Sequence, residues 1–427
     1  MIGNSLPLSG MSKELGESGE KASDLAVDRI KQAVGDVDAD HTIRTVSEDQ
    51  GDDSTSAKES AKKLVADDGA TCLTGPWSSD ALPETAQDVV IPEKILEIVP
   101  VPTGADVADL NDRDLVNSTA LPQSAEGSAL SDAIDRDLGG AQGHSVNVAS
   151  TNDTYGSTLS QDFIEDWQDK GGSLSGLVGL ASPSSATAPP TSSSNNNDYS
   201  GGTTTSSEGT SSSYSGETSS SSDEAQNITT GSPSAIVVID SLTGFAELAP
   251  ALSSSYSWDP DIAWGSDQLV SPGLPGEVGT DAIDGMRALA PGMPKDEEAS
   301  SAFTDDFKSA DPHDVKQAPY AAQEFDATIL CYLAAVAAVS TDGQEMADHL
   351  IDITAPGGEE FSWQQLPDAI EALEDGKDID YTGASGPIDM DVHGDPTAGV
   401  FDVYQYEGER LKAVDEVSVE KPNPATP

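Results

Sequence analysis

Apolar positions in the first 180 residues switch between two periods. Ala22, Leu25, Ala26, Ile30 and Ala33 recur at helical spacing, so residues 18–34 read as an amphipathic helix. Ala57, Ala61, Leu64 and Val65 form the inner face of a second helix, with Ser54 placed to cap it. Between and after them lie short strand-like runs: the N-terminal segment, TCLTG at 71–75, EIVPVP at 97–102 and SVNVAS at 145–150. A helix is expected near 124–138 and another over 157–169, the latter turning Leu159, Phe163, Ile164 and Trp167 inward. Strands alternating with helices predict parallel sheets covered by helices.

The pattern breaks at 181–233, where Ser, Thr, Gly, Asn and Pro dominate. So few large apolar side chains cannot offset the chain entropy of folding, and the stretch reads as a mobile surface insertion. Periodicity resumes with AIVVID at 235–240, a buried parallel strand by composition. A helix near 243–252, a strand at DIAW (261–264), a helix apolar nearly all round at 319–340 and helices near 344–352 and 366–374 follow. Two strand-like segments, around 387–392 and 399–406, end the pattern. The uninterrupted apolar part of the 319–340 helix, Ile329 to Val339, is too short to span a bilayer.

Charge changes the picture of the solvent rather than of the fold. The 427 residues carry 76 acidic and 20 basic side chains, a formal charge of −56. Nucleic-acid phosphates would be repelled, so no nucleic-acid partner is expected. The excess acid is spread along the chain, with no lysine or arginine between Lys170 and Arg287. Self-repulsion of this size opposes folding in dilute buffer but is screened at molar salt, where the Debye length is about 3 Å. The expectation is a halophilic protein working in strong brine.

Candidate chemistry is sparse. No GxSxG elbow, Walker loop, GxGxxG turn or HExxH helix is present, and the five histidines are scattered. No enzyme activity and no cofactor are expected. The acidic runs beginning at Asp36 and Asp389 fail the calcium-loop pattern: the first has His41 and Ser47 at its sixth and twelfth positions, the second Val400 at its twelfth. Cys72 and Cys331 lie in apolar settings and read as buried free thiols, leaving the compartment open. Asn117, Asn152 and Asn227 each precede a threonine by two positions, acceptor triplets that matter only outside the cell.

The remaining signal lies in loops after predicted strands, where open parallel sheets bind ligands. These are LPLSG at 6–10, GPWSSD at 75–80, PTGADVADL at 102–110, TNDTYGS at 151–157 and WGSDQ at 264–268. Ser78 and Ser79 offer hydroxyls and backbone N–H groups to an anion at a helix start, Tyr155 is an aromatic, and Asp267 is a carboxylate. Such a set suits an amino acid.

In that order the loops resemble the leucine/isoleucine/valine-binding type of ABC-importer substrate-binding protein, over nearly the whole chain outside the insertion. The segments that carry the resemblance are PLSG with the gap to DLAVDRI, GPWSS, NDTYGSTLSQDFIEDWQDKGG, YAAQEFDATILCYLAAV and SGPIDMDVHGDPTAGVFDVYQY. It implies an α/β periplasmic-binding-protein type I fold, two doubly wound lobes joined by three crossings and closing over a ligand. Residues 1–120 with about 288–388 would form lobe 1, and 121–287 with about 389–427 lobe 2. By the same resemblance, Ser78 and Ser79 would hold a ligand α-carboxylate and Ala105 would lend a backbone carbonyl. Tyr155 would cover the ligand, Asp267 would take its α-ammonium, and Trp77 would wall the side-chain pocket. Asp106 stands where the family often has threonine, and could favour a cationic or more polar ligand.

The expected role is an extracytoplasmic receptor, a monomer that captures a branched-chain amino acid or related amide and hands it to an ABC permease. Export by a signal segment absent from this chain and a lipid anchor at the cell surface are expected with it. Two alternatives are a ligand sensor of the same fold and a surface-structural or adhesive protein with a vestigial cleft.

Overall fold

Strand–helix alternation does produce parallel sheets, and there are two of them. A computed structural model of the chain describes residues 1–108, 110–180, 220–255, 257–295, 297–310 and 318–420. Strands β1 (Ile2–Leu6), β2 (Thr45–Asp49), β3 (Cys72–Thr74), β4 (Leu96–Val99) and β5 (Val116–Ser118) form one sheet, ordered β2-β1-β3-β4-β5 and parallel throughout. The second contains β6 (Ser145–Thr151), β7 (Ser173–Leu180), β8 (Ala235–Ile239), β9 (Ala263–Gly265) and β10 (Arg287–Pro291). A parallel pair, β11 (Glu359–Ser362) with β12 (Ile379–Thr382), stands apart. The antiparallel hairpin of β13 (Ala398–Glu407) and β14 (Arg410–Glu420) completes the second sheet, ordered β14-β13-β10-β9-β8-β6-β7.

Each sheet is covered by helices and forms a lobe. Helix Lys13–Asp36 buries Ala22, Leu25, Ala26, Ile30 and Ala33, the stripe its periodicity marks. Helix Ala321–Ala338 lies in the same core with nearly every residue from Ala321 to Ala334 buried. It is long and apolar enough to cross a membrane by those measures alone, but here it is the core helix of the first lobe. In the second lobe Gln123–Leu138 and Thr154–Asp169 bury Ile134, Phe163 and Trp167.

The chain passes between the sheets three times: after β5, after β10 and before β13. Hydrogen bonds tie these passages together. Thr119 Oγ1 donates to the Gln323 carbonyl (2.9 Å) and Gln323 Nε2 to the Gly292 carbonyl (2.8 Å). Thr103 Oγ1 donates to Asp395 Oδ1 at 2.6 Å.

Several expectations are corrected. Cys72 on β3 and Cys331 on helix Ala321–Ala338 are not free thiols but a disulfide, with Cα atoms 6.0 Å apart. The helix packs across the sheet, which brings together two residues 259 positions apart. Asp53, not Ser54, caps the second helix, its side chain accepting the Ser56 N–H at 3.0 Å. At DIAW, Pro260–Ile262 form a 3-10 turn and the strand begins only at Ala263. Residues 387–392 make only isolated bridges, because Asp391 Oδ1 takes the His393 and Asp395 N–H groups in a turn. Asn117, an acceptor triplet by sequence, is 1% exposed inside β5 and closed to modification in the folded chain. Residues 181–219, most of the expected insertion, lie outside the described residues. Beyond them Ser221–Ile228 form a helix, started by a capping box between Ser220 and Asp223 and anchored by buried Ala225 and Ile228.

Candidate functional site

Five strands deliver their carboxyl ends to one crevice between the lobes. From the first lobe come Pro7 and Met11 after β1, Gln50 to Asp53 after β2, Trp77 to Asp80 after β3 and Val101 after β4. From the second come Ser241 to Thr243 after β8 and Asp267 with Gln268 after β9. Tyr320 also lines the cavity, whose volume is about 140 Å³.

The turn after β3 is built for close approach. Gly75 has φ of +82°, and a Cβ there would lie 2.2 Å from the Ser5 carbonyl oxygen, so no other residue fits. The turn presents Trp77, whose backbone N–H donates to Gln50 Oε1 at 2.8 Å. Its indole Nε1–H donates to Glu324 Oε2 at 3.0 Å, and its ring meets Tyr320 edge-on at 5.6 Å.

Glu324 is fully buried on helix Ala321–Ala338, and burial raises its carboxyl from 4.5 to about 8. Thr74 Oγ1 stands 2.6 Å from Glu324 Oε1 and 3.1 Å from Asn4 Oδ1. A threonine hydroxyl has one proton to give. A protonated Glu324 that donates to Thr74, with Thr74 donating to Asn4, therefore satisfies the whole chain of groups. Trp77 is thus held by a neutral acid.

Asp267 is the centre of the second-lobe wall. It is 3% exposed and accepts two phenol protons, Tyr155 at 2.7 Å on Oδ1 and Tyr320 at 3.1 Å on Oδ2. Tyr155 belongs to the same lobe as Asp267, while Tyr320 precedes the core helix of the other, so Asp267 ties the two lobes. Tyr320 adopts the left-handed φ of +69°, a cost of about 1 kcal/mol in a bulky residue that its surroundings must hold in place. The Asp267 N–H donates to Glu126 Oε1 at 2.9 Å, and Glu126 is itself fully buried. Burial raises both carboxyls, but the two tyrosine hydroxyls hold Asp267 lower. The charge settles on Asp267 and the proton on Glu126. Burial beside Asp267 raises both tyrosines well above their usual range, so they remain donors.

Of the residues singled out by sequence, Trp77, Ser78, Ser79 and Asp267 line the cavity. Ser79 Oγ, however, donates to the Pro102 carbonyl at 2.8 Å. Tyr155 stands behind Asp267. Ala105 and Asp106 open the short helix Ala105–Ala108 and do not line the cavity. Asp106 still acts on it, because it adds to the field around Asp80. Asp80 reaches water through the crevice yet is crowded by protein; burial, then Asp153, Asp267 and Asp106, push its carboxyl to about 6. Sequence reasoning missed Tyr320, Asp80, Glu126 and Glu324. The one signal available for Tyr320 was its position just before the apolar helix.

The family model described as periplasmic binding protein matches residues 1–192. No curated protein sequence matches the chain. Among solved structures, the leucine-binding protein LivK of Thermotoga maritima superposes with a TM-score of 0.67 at 16% identity, over 97% of this chain and 98% of that one. The branched-chain amino acid transporter substrate-binding protein LivJ of Streptococcus pneumoniae, in complex with isoleucine, gives 0.68 at 15% identity over 98% and 99%. An ABC-transporter solute-binding protein from R. palustris, in complex with benzoate, gives 0.64 at 18% over 99% and 98%. The chain has the type I periplasmic-binding-protein fold.

Proposed function

We propose that the chain is an extracytoplasmic solute-binding receptor that captures an amino acid or a related amide between its lobes and delivers it to an ABC permease. The observation that carries this reading is Asp267: a buried carboxylate on the cavity wall, held by one phenol from each lobe. An incoming ammonium group would meet a charge already oriented for it, and both lobes would sense its arrival. Ser78 and the backbone N–H groups of the 77–80 turn would receive an α-carboxylate, since the Ser79 hydroxyl is engaged with Pro102. Met11, Leu15, Val101 and Leu242 would face the aliphatic part. No covalent step is required of any residue.

Residues 1–120 with about 288–388 would move as one body, and 121–287 with about 389–427 as the other. The Cys72–Cys331 disulfide supports an oxidising compartment, such as the outer face of a membrane, where a lipid anchor would hold the receptor. The charge of −56 supports work in concentrated salt as a monomer. Calorimetry in molar salt with an amino-acid and amide panel tests the reading. Asp267→Ala should weaken binding by about 2–5 kcal/mol, much of it the cost of an ammonium left without its partner. Unchanged affinity would remove Asp267 from the site. Absence of ligand-induced compaction in small-angle scattering would remove the receptor role.

A further inference from the structure

We propose that the cleft selects an aliphatic ligand of net positive charge, such as a basic amino acid or a diamine, and that Asp80 enforces this choice. The proposal rests on the receptor reading and names the ligand class for the same site.

Carboxylates stand on both walls: Asp52, Asp53 and Asp80 on the first lobe, Asp267 on the second. No lysine or arginine lines the cavity. Acid is abundant over the whole chain, but brine screens it where counter-ions move freely. Between closed lobes that screening is poor, and an unpaired charge there must find its partner in the ligand.

Asp267 already has the oriented site an α-ammonium needs. Asp80 has no comparable partner, and Asp106 and Asp153 crowd it with charge of its own sign. A neutral zwitterion would bring its carboxylate to the 77–80 turn, next to Asp80, where the Ser79 proton is committed to Pro102. A second ammonium or guanidinium answers Asp80 directly. The Trp77 and Tyr320 rings, in edge contact at the cavity, add a surface suited to a cation.

A second observation points the same way. Behind Asp267, fully buried Glu126 has its Oε2 without a hydrogen-bond partner among the described residues. That wall thus has acceptor capacity left over and no buried cation to meet it. A ligand with only a carboxylate, such as the benzoate in the R. palustris structure, would add a further negative charge to this set.

The test compares lysine, norleucine, 1,5-diaminopentane and benzoate by calorimetry with the full chain in molar potassium chloride at pH 7.5. Lysine and norleucine share a backbone and chain length and differ in one charge. Lysine should bind at least ten-fold more tightly than norleucine, the diamine should bind, and benzoate should not. Asp80→Asn should bring lysine and norleucine to within about two-fold. In the wild type the same ratio should fall on acidification through pH 6. The groups facing Asp80 there are Asp52, Asp53, Asp106, Asp153 and Asp267, so this arm needs no variant to fold. If norleucine matches lysine, or the ratio survives both Asp80→Asn and acid, the charge preference is overturned while the receptor reading stands. If none of the four compounds binds and the wider amino-acid panel also fails, both are overturned.

Discussion

Replacing Glu324 by glutamine should remove a pH-dependent weakness from the centre of the first lobe. In the unfolded chain this carboxyl loses its proton near 4.5, and in the folded protein only near 8. Between those values the folded state holds the extra proton, so stability falls as pH rises through the window and levels off outside it. At about 1.4 kcal/mol per pH unit, Glu324 alone should cost about 3 kcal/mol between pH 5 and pH 8. Glutamine keeps the shape and the bonding: its amide N–H can donate to Thr74 and its carbonyl can accept from Trp77, as the neutral acid does. Urea denaturation in molar potassium chloride, followed by circular dichroism at pH 5, 6, 7 and 8, gives the two profiles. Other raised carboxyls, such as Asp326 at about 6, affect both proteins alike, so the difference between the curves isolates Glu324. The variant should be favoured increasingly toward pH 8. Parallel curves would refute the claim that Glu324 is neutral when folded.

Three further outcomes are expected. Tyr320→Phe removes the phenol proton that links the first lobe to Asp267, and should weaken ligand binding by about 1–2 kcal/mol while leaving the denaturation midpoint nearly unchanged; calorimetry beside urea titration separates the two effects. Reduction of the Cys72–Cys331 bond, which spans 259 positions, should lower stability by up to about 5 kcal/mol on a chain-entropy basis. Urea midpoints with and without reductant measure it. Stability of the wild type should rise with potassium chloride from 0.1 M to several molar, as screening relieves the charge of −56; a flat dependence in thermal melts would argue against brine as its solvent.

Local order was legible in the chain. A stripe such as Ala22, Leu25, Ala26, Ile30 and Ala33 declares a buried helix face whatever it packs against, and AIVVID at 235–240 declares a strand buried on both sides. The loops after those strands marked the crevice, because parallel strands place their carboxyl ends on one edge. Elements with little buried surface left no such mark. Polar β2 (TVSED) is only partly buried, and β14 exposes most of its eleven residues, so neither shows a clear alternation.

What periodicity reports is which way a side chain faces, never which distant residue it meets. Asp267 was visible as an acid after a strand. Its Tyr155 and Tyr320 donors, 112 and 53 positions away, became its partners only when two lobes packed together. The same holds for the disulfide and for Glu324 beneath Trp77. Amino-acid order determined the two layered α/β units, the position of their loops and the anionic surface. Tertiary packing decided which carboxylates lost their water, and with it where charge, proton and ligand can sit, because desolvation depends on neighbours that the chain brings together only in three dimensions.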